Sequence, residues 1–408
     1  MLVNPSSVPQ SKDWTHILIV ALSVFIILEV VLLGFMIVEK ATAPATTTTT
    51  ITTTQPSTNG TPKVQATSVV GSLVHVWDID FLPTGEMLFT ERGGALSIYK
   101  NKQVVSLAQI EDVAANGEGG LMGLAVDPKF TQNKYVYTCL NTTAGDIRVA
   151  RWTINADASS AQSRKDIVTG IPANPSGRHS GCQLAFGPDG YLWVGTGDTA
   201  QDLKLQSPQD PQSLAGKILR VDRNGMPAPG NYSAPFDKRV YSFGHRNTQG
   251  IAFFEKEQGG VVGVSVEHGS DVDDELNPLK PGNFGWAPPN GPYNEANVPM
   301  TDKDKFPSAI NALWVSGDPT QAPSGVAVLK GDKWKSWDGA IVMAMLKAER
   351  LNVLTFDEAM DVKKVSYLAE KDASFGRLRA ATLGPDGNLY VGTSNGSDDK
   401  IIKFSPQQ

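Results

Sequence analysis

The sequence predicts an all-β fold, a six-bladed β-propeller of four-stranded blades, preceded by one N-terminal transmembrane helix and a Thr-rich linker. Three features of the 408 residues carry this expectation. Six similar hairpin segments follow residue 63, an apolar run of 22 residues lies before residue 40, and a charge-free Thr/Pro tract separates the two.

The apolar run extends from Ile17 to Val38 and is interrupted only by Glu29. At about 1.5 Å per residue, a helix of that length crosses a hydrocarbon core of about 30 Å. A cleaved signal peptide has an apolar stretch of only about 7–15 residues, and Pro44 is a poor start for a mature chain. Residues 17–38 therefore read as an uncleaved signal anchor, with residues 1–16 as a short cytoplasmic N-terminus. Residues 41–62 hold 11 Thr, three Pro and no charge. Such a composition cannot bury enough apolar surface to order itself, and Thr with Pro is typical of O-glycosylated stalks. Residues 39–62 are thus expected to be a disordered stalk. The expected localisation is the cell membrane, single-pass, with residues 63–408 extracytoplasmic. N-x-S/T triplets at Asn59, Asn141, Asn231 and Asn395 fit an exported surface.

The hairpins are plainest in LAFGPDGYLWVGTGD (184–198), ATLGPDGNLYVGTSN (381–395) and IDFLPTGEMLFTERG (79–93). Weaker copies begin at residues 124, 251 and 326. In each, β-rich runs flank a turn of Pro, Asp, Asn or Gly, which is the pattern of a β-hairpin. The spacings are 45, 60, 67, 75 and 55 residues, enough for one propeller blade of about 40–45 residues plus loops. After residue 381 too few residues remain for a whole blade, so the segment after Lys63 should supply the missing strand. An array of β-sandwiches is the alternative.

Composition narrows the function. Lys+Arg number 36 against 42 Asp+Glu, a net charge of −6, which opposes a general nucleic-acid binder. Two Cys exclude a disulfide-dense scaffold.

Polar residues gather in four places. His179 lies just before an inner strand, and Asp198 ends the neighbouring one, where a carboxylate can orient an imidazole base. His245, Arg246, Asn247 and Gln249 crowd the approach to another strand. Acidic residues at 267–275 with Gly-rich backbone suit a hard cation such as calcium, and a merely solvated loop is the alternative. Lys347, Arg377 and Arg379 are cations in an acidic protein, and they suggest an anionic ligand with several carboxylates.

These stretches, namely GEGGLMGLAVDPKF, HSGCQLAFGPDGYLWVGTGD, SLAGKILRVD, GHRNTQGIAF, EHGSDVDDEL, PGNFGW, APSGVAV and GRLRAATLGPDGNLYV, resemble the soluble glucose/sorbosone and aldose sugar dehydrogenases that use pyrroloquinoline quinone (PQQ). The resemblance runs from about residue 70 to 404. It implies a six-bladed propeller and oxidation of a sugar at its anomeric carbon to a lactone, with electrons passed to an external acceptor. It further implies His179 as catalytic base, Asp198 as its orienting partner and Glu118 in the substrate site. Arg246 and Asn247 would contact the cofactor and active site, while Lys347, Arg377 and Arg379 would hold the quinone carboxylates. Gly269 and Ser270 would offer carbonyls to Ca2+, and Asp274 and Glu275 would bind an additional calcium. Cys182, Gln183, Thr248 and Ser270 depart from the family pattern, and a Cys139–Cys182 bond is compatible with an extracytoplasmic location. A non-catalytic ligand- or partner-binding propeller of the same family is the alternative. The sequence leaves the sugar and the oligomeric state open.

Overall fold

The computed structural model describes residues 60–201, 208–255, 259–369 and 375–407. The expected anchor and nearly all of the stalk lie outside the described residues. Among the described residues no helix is long and apolar enough to cross a membrane.

Six antiparallel sheets form the propeller. Their inner strands are Val76–Phe81, Leu121–Val126, Gly181–Phe186, Thr248–Glu255, Pro323–Val328 and Leu378–Leu383, which we number as blades 1 to 6. Each inner strand packs on that of the next blade, and the last packs on the first, closing the ring. Closure is completed in sequence as expected. Strand Val64–Leu73 joins blade 6 as its outermost member, pairing antiparallel with Asp399–Pro406. The N- and C-terminal ends of the domain are thereby stitched into one sheet.

A single blade cannot bury both of its faces, so the core is divided among the blade interfaces. Six apolar clusters result, one per interface. One joins Leu88 and Ile98 of blade 1 to Leu124 and Trp152 of blade 2. Another joins Val342 and Val353 of blade 5 to Val391 and Phe404 of blade 6. The hairpin turns follow local chemistry. In both GPDG turns the first Gly exchanges backbone hydrogen bonds across the turn, and the second, Gly190 or Gly387, adopts a positive φ of 76° or 70° that favours glycine.

Blade 3 departs from the expected four strands. The short strand Gly282–Asn283 pairs parallel with Val240–Phe243 and makes a fifth. The long segment after blade 4's third strand folds back along this edge, covering an otherwise open row of backbone donors and acceptors.

All six inner strands start three residues before the apolar triplets that mark them in sequence. Each also slips register near its start, for example between Gly181 and Gln183 or between Leu378 and Ala380. A bulge of this kind re-aims side chains at a strand's end. It lets Asp78, Gln183, Gln249 and Arg379 stand near the start of an inner strand without breaking the apolar run that follows.

Cys139 and Cys182 form a disulfide with a Cα–Cα distance of 5.6 Å, tying blade 2 to the inner strand of blade 3. Asn141 corrects the reading of surface triplets, because it is 3% exposed and hydrogen-bonds Ser180. It cannot accept a glycan in the folded protein.

Candidate active site

Antiparallel pairing places the start of each inner strand beside the end of the second strand in the same blade. Residues just before strand one and just after strand two therefore collect at one end of the propeller. His179, Arg246, Asn247, Glu118 and Arg377 belong to the first kind, Asp198, His268 and Lys347 to the second, and Arg379 is the second residue of the blade 6 inner strand.

His179 is buried, and its Nδ1 lies 2.7 Å from Asp198 Oδ1. The His179 backbone is left-handed, with φ of 48°. Its carbonyl comes so close to Gly197 that a Cβ there would lie 1.9 Å away, so only glycine fits. Asp198 accepts a hydrogen bond from the Trp286 indole at 2.7 Å, one from the Tyr293 hydroxyl at 3.1 Å and one from the Ala200 N–H at 2.9 Å. Burial works to raise the Asp198 carboxyl, yet His179, Arg246 and Trp286 together hold it below its ordinary value. An ionised Asp198 fixes the proton on Nδ1, which leaves Nε2 as the basic atom. Among the described residues Nε2 has no hydrogen-bond partner.

Glu118 sits at the centre of a second network. Its Oε1 accepts from the N–H of Ser180 (2.9 Å) and of Gly181 (3.2 Å) and from Gln249 Nε2 (2.9 Å). Its Oε2 accepts from Asn247 Nδ2 at 3.0 Å. Three donors thus meet Oε1 and one meets Oε2, so the carboxylate clamps the loop that carries His179 while Oε2 keeps an acceptor position. Asn247 Oδ1 adds a 3.0 Å bond from Gly181 N–H.

The cations divide sharply. Arg246 is buried and paired to Glu295, with Nε at 2.9 Å and Nη2 at 2.8 Å, while Nη1 donates to the His268 carbonyl. Arg379 is equally buried but has no carboxylate partner among the described residues. It lies 3.7 Å over the Trp77 ring and donates to Gln249 Oε1 at 3.2 Å, and its Nε is unsatisfied. Burial pushes its pKa down to about 9, opposed by Glu118 and assisted by Arg377 and Arg92. Arg377 and Lys347 are exposed at the mouth. Arg377 donates to the Leu346 carbonyl at 3.5 Å and Lys347 to Thr320 at 3.0 Å, so both lie beside the end of the same blade 5 strand.

Residues 73–403 match the family model described as Glucose / Sorbosone dehydrogenase. The chain belongs to the glucose/sorbosone dehydrogenase family. An aldose sugar dehydrogenase of Escherichia coli K12 is 28% identical over 351 residues, covering 82% of this chain and 91% of that protein. An uncharacterized protein of Synechocystis sp. is 30% identical over 359 residues, covering 81% and 84%. The PQQ-bound form of an aldose sugar dehydrogenase from Streptomyces coelicolor superposes with a TM-score of 0.68 at 29% identity, covering 85% of this chain and 100% of that one.

PQQ carries several carboxylates, and the glucose/sorbosone dehydrogenase fold of this chain fits such a group. A buried guanidinium with an orphaned Nε and no paired acid has the charge and the free donor to suit a carboxylate. The buried Nε2 of His268 is also unsatisfied. Burial, with Arg246 and Arg379 nearby, drives the pKa of His268 well below the usual histidine value, so it is neutral.

The expected calcium ligands are not all brought together. The Asp274 carboxylate accepts backbone N–H groups of Gly269, Gln321 and Ala322. Glu275 points the other way, as the next residue along a strand must, and accepts from Thr301 and Asn277. The two carboxylates expected to share an additional calcium thus have separate sets of hydrogen-bond partners. Burial, reinforced by Glu267, instead raises the Glu275 pKa to about 8. Among the described residues no group of three or more His, Cys, Asp or Glu could hold a metal ion. The carbonyls of Gly269 and Ser270 accept no hydrogen bond among the described residues.

Sequence reasoning missed Trp286, Tyr293 and Glu295 as partners of the site. Trp286 ends the PGNFGW stretch, so a signal existed. Tyr293 and Glu295 lie in a Gly/Pro/Asn-rich loop with no periodicity to mark them.

Proposed function

We propose that this family member is a membrane-tethered, extracytoplasmic quinoprotein oxidoreductase that oxidises aldoses at the anomeric carbon to lactones. The observation that carries this reading is one end of the propeller that holds both a buried His179–Asp198 pair and an unneutralised buried guanidinium, Arg379. PQQ, when bound, supplies a two-electron acceptor for the hydride that leaves the sugar.

The protein's own part is proton handling and orientation. His179 Nε2 takes the anomeric hydroxyl proton, and Asp198 stabilises the imidazolium that forms. Trp286 and Tyr293 keep Asp198 ionised and aimed at Nδ1. Arg379, with Lys347 and Arg377 at the mouth, would hold cofactor carboxylates, while Arg246 and Asn247 would line the reacting centre. Glu118 serves this reading as a clamp on the His179 loop as well as lining the substrate side. Ca2+, if used, would draw on the carbonyls of Gly269 and Ser270 together with the cofactor's own oxygens, since a hard cation prefers oxygen ligands. Residues 17–38 would anchor the chain, 39–62 would act as its stalk, and an external acceptor would take the electrons.

The test is dye reduction by the purified protein with PQQ, Ca2+ and a panel of aldoses. Turnover supports the enzyme. Absence of both cofactor binding and dye reduction overturns it, and binding without turnover favours a ligand-binding propeller.

A further inference from the structure

Gln249 is buried two residues past Asn247, and its side chain stands between Glu118 and Arg379. Nε2 donates to Glu118 Oε1 at 2.9 Å and to Asn247 Oδ1 at 3.0 Å, while Oε1 accepts from Arg379 Nη1 at 3.2 Å. An acid and a guanidinium are thus held one amide apart in a place where their attraction is weakly screened. They form no ion pair with each other. The acid is used by the His179 loop and the cation rests on Trp77.

We propose that Gln249 is a positioning residue that works as a spacer. It keeps Arg379 and Glu118 from collapsing into an ion pair, so that Arg379 stays available to a cofactor carboxylate and Glu118 stays on the Ser180 and Gly181 amides. This inference rests on the quinone-dependent reading of the site. The choice of side chain follows from the two neighbours. An uncharged amide offers a donor to the acid through one atom and an acceptor to the cation through another, on an arm long enough to stand between them. A Glu here would face Glu118 with like charge, and an apolar residue would leave both groups to find each other. Collapse would satisfy the buried cation at the expense of both groups' tasks.

Three measurements test this on the purified protein. In crystals of cofactor-free Gln249→Met, an Arg379–Glu118 N···O separation within about 4 Å is expected. Hydrogen exchange at the Ser180 and Gly181 amides should be faster than in the wild type. PQQ affinity, read by quenching of tryptophan emission, should weaken about tenfold or more. In Glu118→Gln/Gln249→Met the capture is removed, so PQQ affinity should return toward that of Glu118→Gln while the loop amides stay fast. Arg379 remaining over Trp77 in Gln249→Met, or equal affinity losses in the single and double variants, would overturn the spacer. Should Gln249→Met fail to fold, Gln249→Asn keeps the amide one methylene short and must give the same ordering. A wild-type protein that binds no PQQ overturns the functional reading, while the separation and the exchange rates still decide the spacer.

Discussion

Replacing Arg379 with Met should move two measurements in opposite directions. The guanidinium is fully buried with no acid beside it, and burial lowers its pKa from 12.5 to about 9. At about 1.36 kcal/mol per pKa unit, the folded state bears a cost of at most about 5 kcal/mol. The direction is that of a depressed cation, so the cost is present at every pH below about 9 and is relieved only above it. Against this stand the contact with Trp77 at 3.7 Å, about 2 kcal/mol when desolvated, and the bonds to Gln249 and Ser324, about 1 kcal/mol each. Met fills a similar volume without charge. The cofactor-free variant should therefore be as stable as the wild type, or more stable by about 1 kcal/mol, a rise of roughly 2 °C in Tm. PQQ affinity should fall by roughly tenfold to a hundredfold, the worth of one charge-assisted hydrogen bond. Thermal unfolding with and without PQQ reads both quantities. A cofactor-free variant that melts several degrees lower while retaining its affinity for PQQ would refute the reasoning, because Arg379 would then be a structural residue.

Four further outcomes follow from the same geometry. His179→Ala should lower turnover by about 10²-fold or more with PQQ affinity nearly intact, and equal activity in the variant would remove His179 as the base. Asp198→Asn, which sets an amide against the donors of His179, Trp286 and Tyr293, should reduce kcat by about 10²-fold with little change in PQQ binding, as steady-state rates and a cofactor titration would show. Cys139→Ser/Cys182→Ser opens a link spanning 43 residues, and denaturant unfolding should show a loss of about 2–4 kcal/mol. Burial raises Asp80 to about 6, Asp78 to about 7 and Glu275 to about 8, so their contribution is complete at acidic pH and is lost as pH rises through those values. The denaturation midpoint should fall between about pH 4 and 8, Glu275→Gln should flatten the upper part of that fall, and a pH-independent midpoint would contradict it.

The propeller was legible because hairpins are local. Turn residues such as Pro188–Gly190 and the flanking apolar runs lie within fifteen residues of one another, and ring closure by the segment after Lys63 followed from a count of missing strands. What the sequence concealed was the direction of individual side chains. The bulge at the start of every inner strand re-aims residues that simple alternation would place on one face. Arg377 ends exposed at the mouth while Arg379, two residues on, is buried over Trp77. Likewise Asp274 and Glu275 are neighbours in sequence, yet the first accepts from Gly269, Gln321 and Ala322 and the second from Asn277 and Thr301. Glu295 was invisible because its partner Arg246 is 49 residues away and the intervening loop has no pattern.

On the proposed reading, the two buried guanidiniums would let one acidic protein hold an anion without becoming a basic one. Arg246 is neutralised in place, since Glu295 contacts it directly and is itself held below its ordinary pKa, with burial outweighed by Arg246 and Tyr293. Its value to the site is the direction of its donors rather than its charge, because a paired cation attracts a distant anion weakly. Arg379 has the reverse character. Its neighbours are an indole, an amide and a hydroxyl, none of them anionic, so an arriving carboxylate would meet a cation that burial has already stripped of water. The desolvation cost is borne on folding rather than on binding, and this is the physical sense in which the site is preorganised. The same argument fixes where tight binding must come from. Lys347 and Arg377 are solvated at the mouth and would lose water on contact, so their substitution should alter salt dependence and association rate, whereas loss of Arg379 should appear in the dissociation rate.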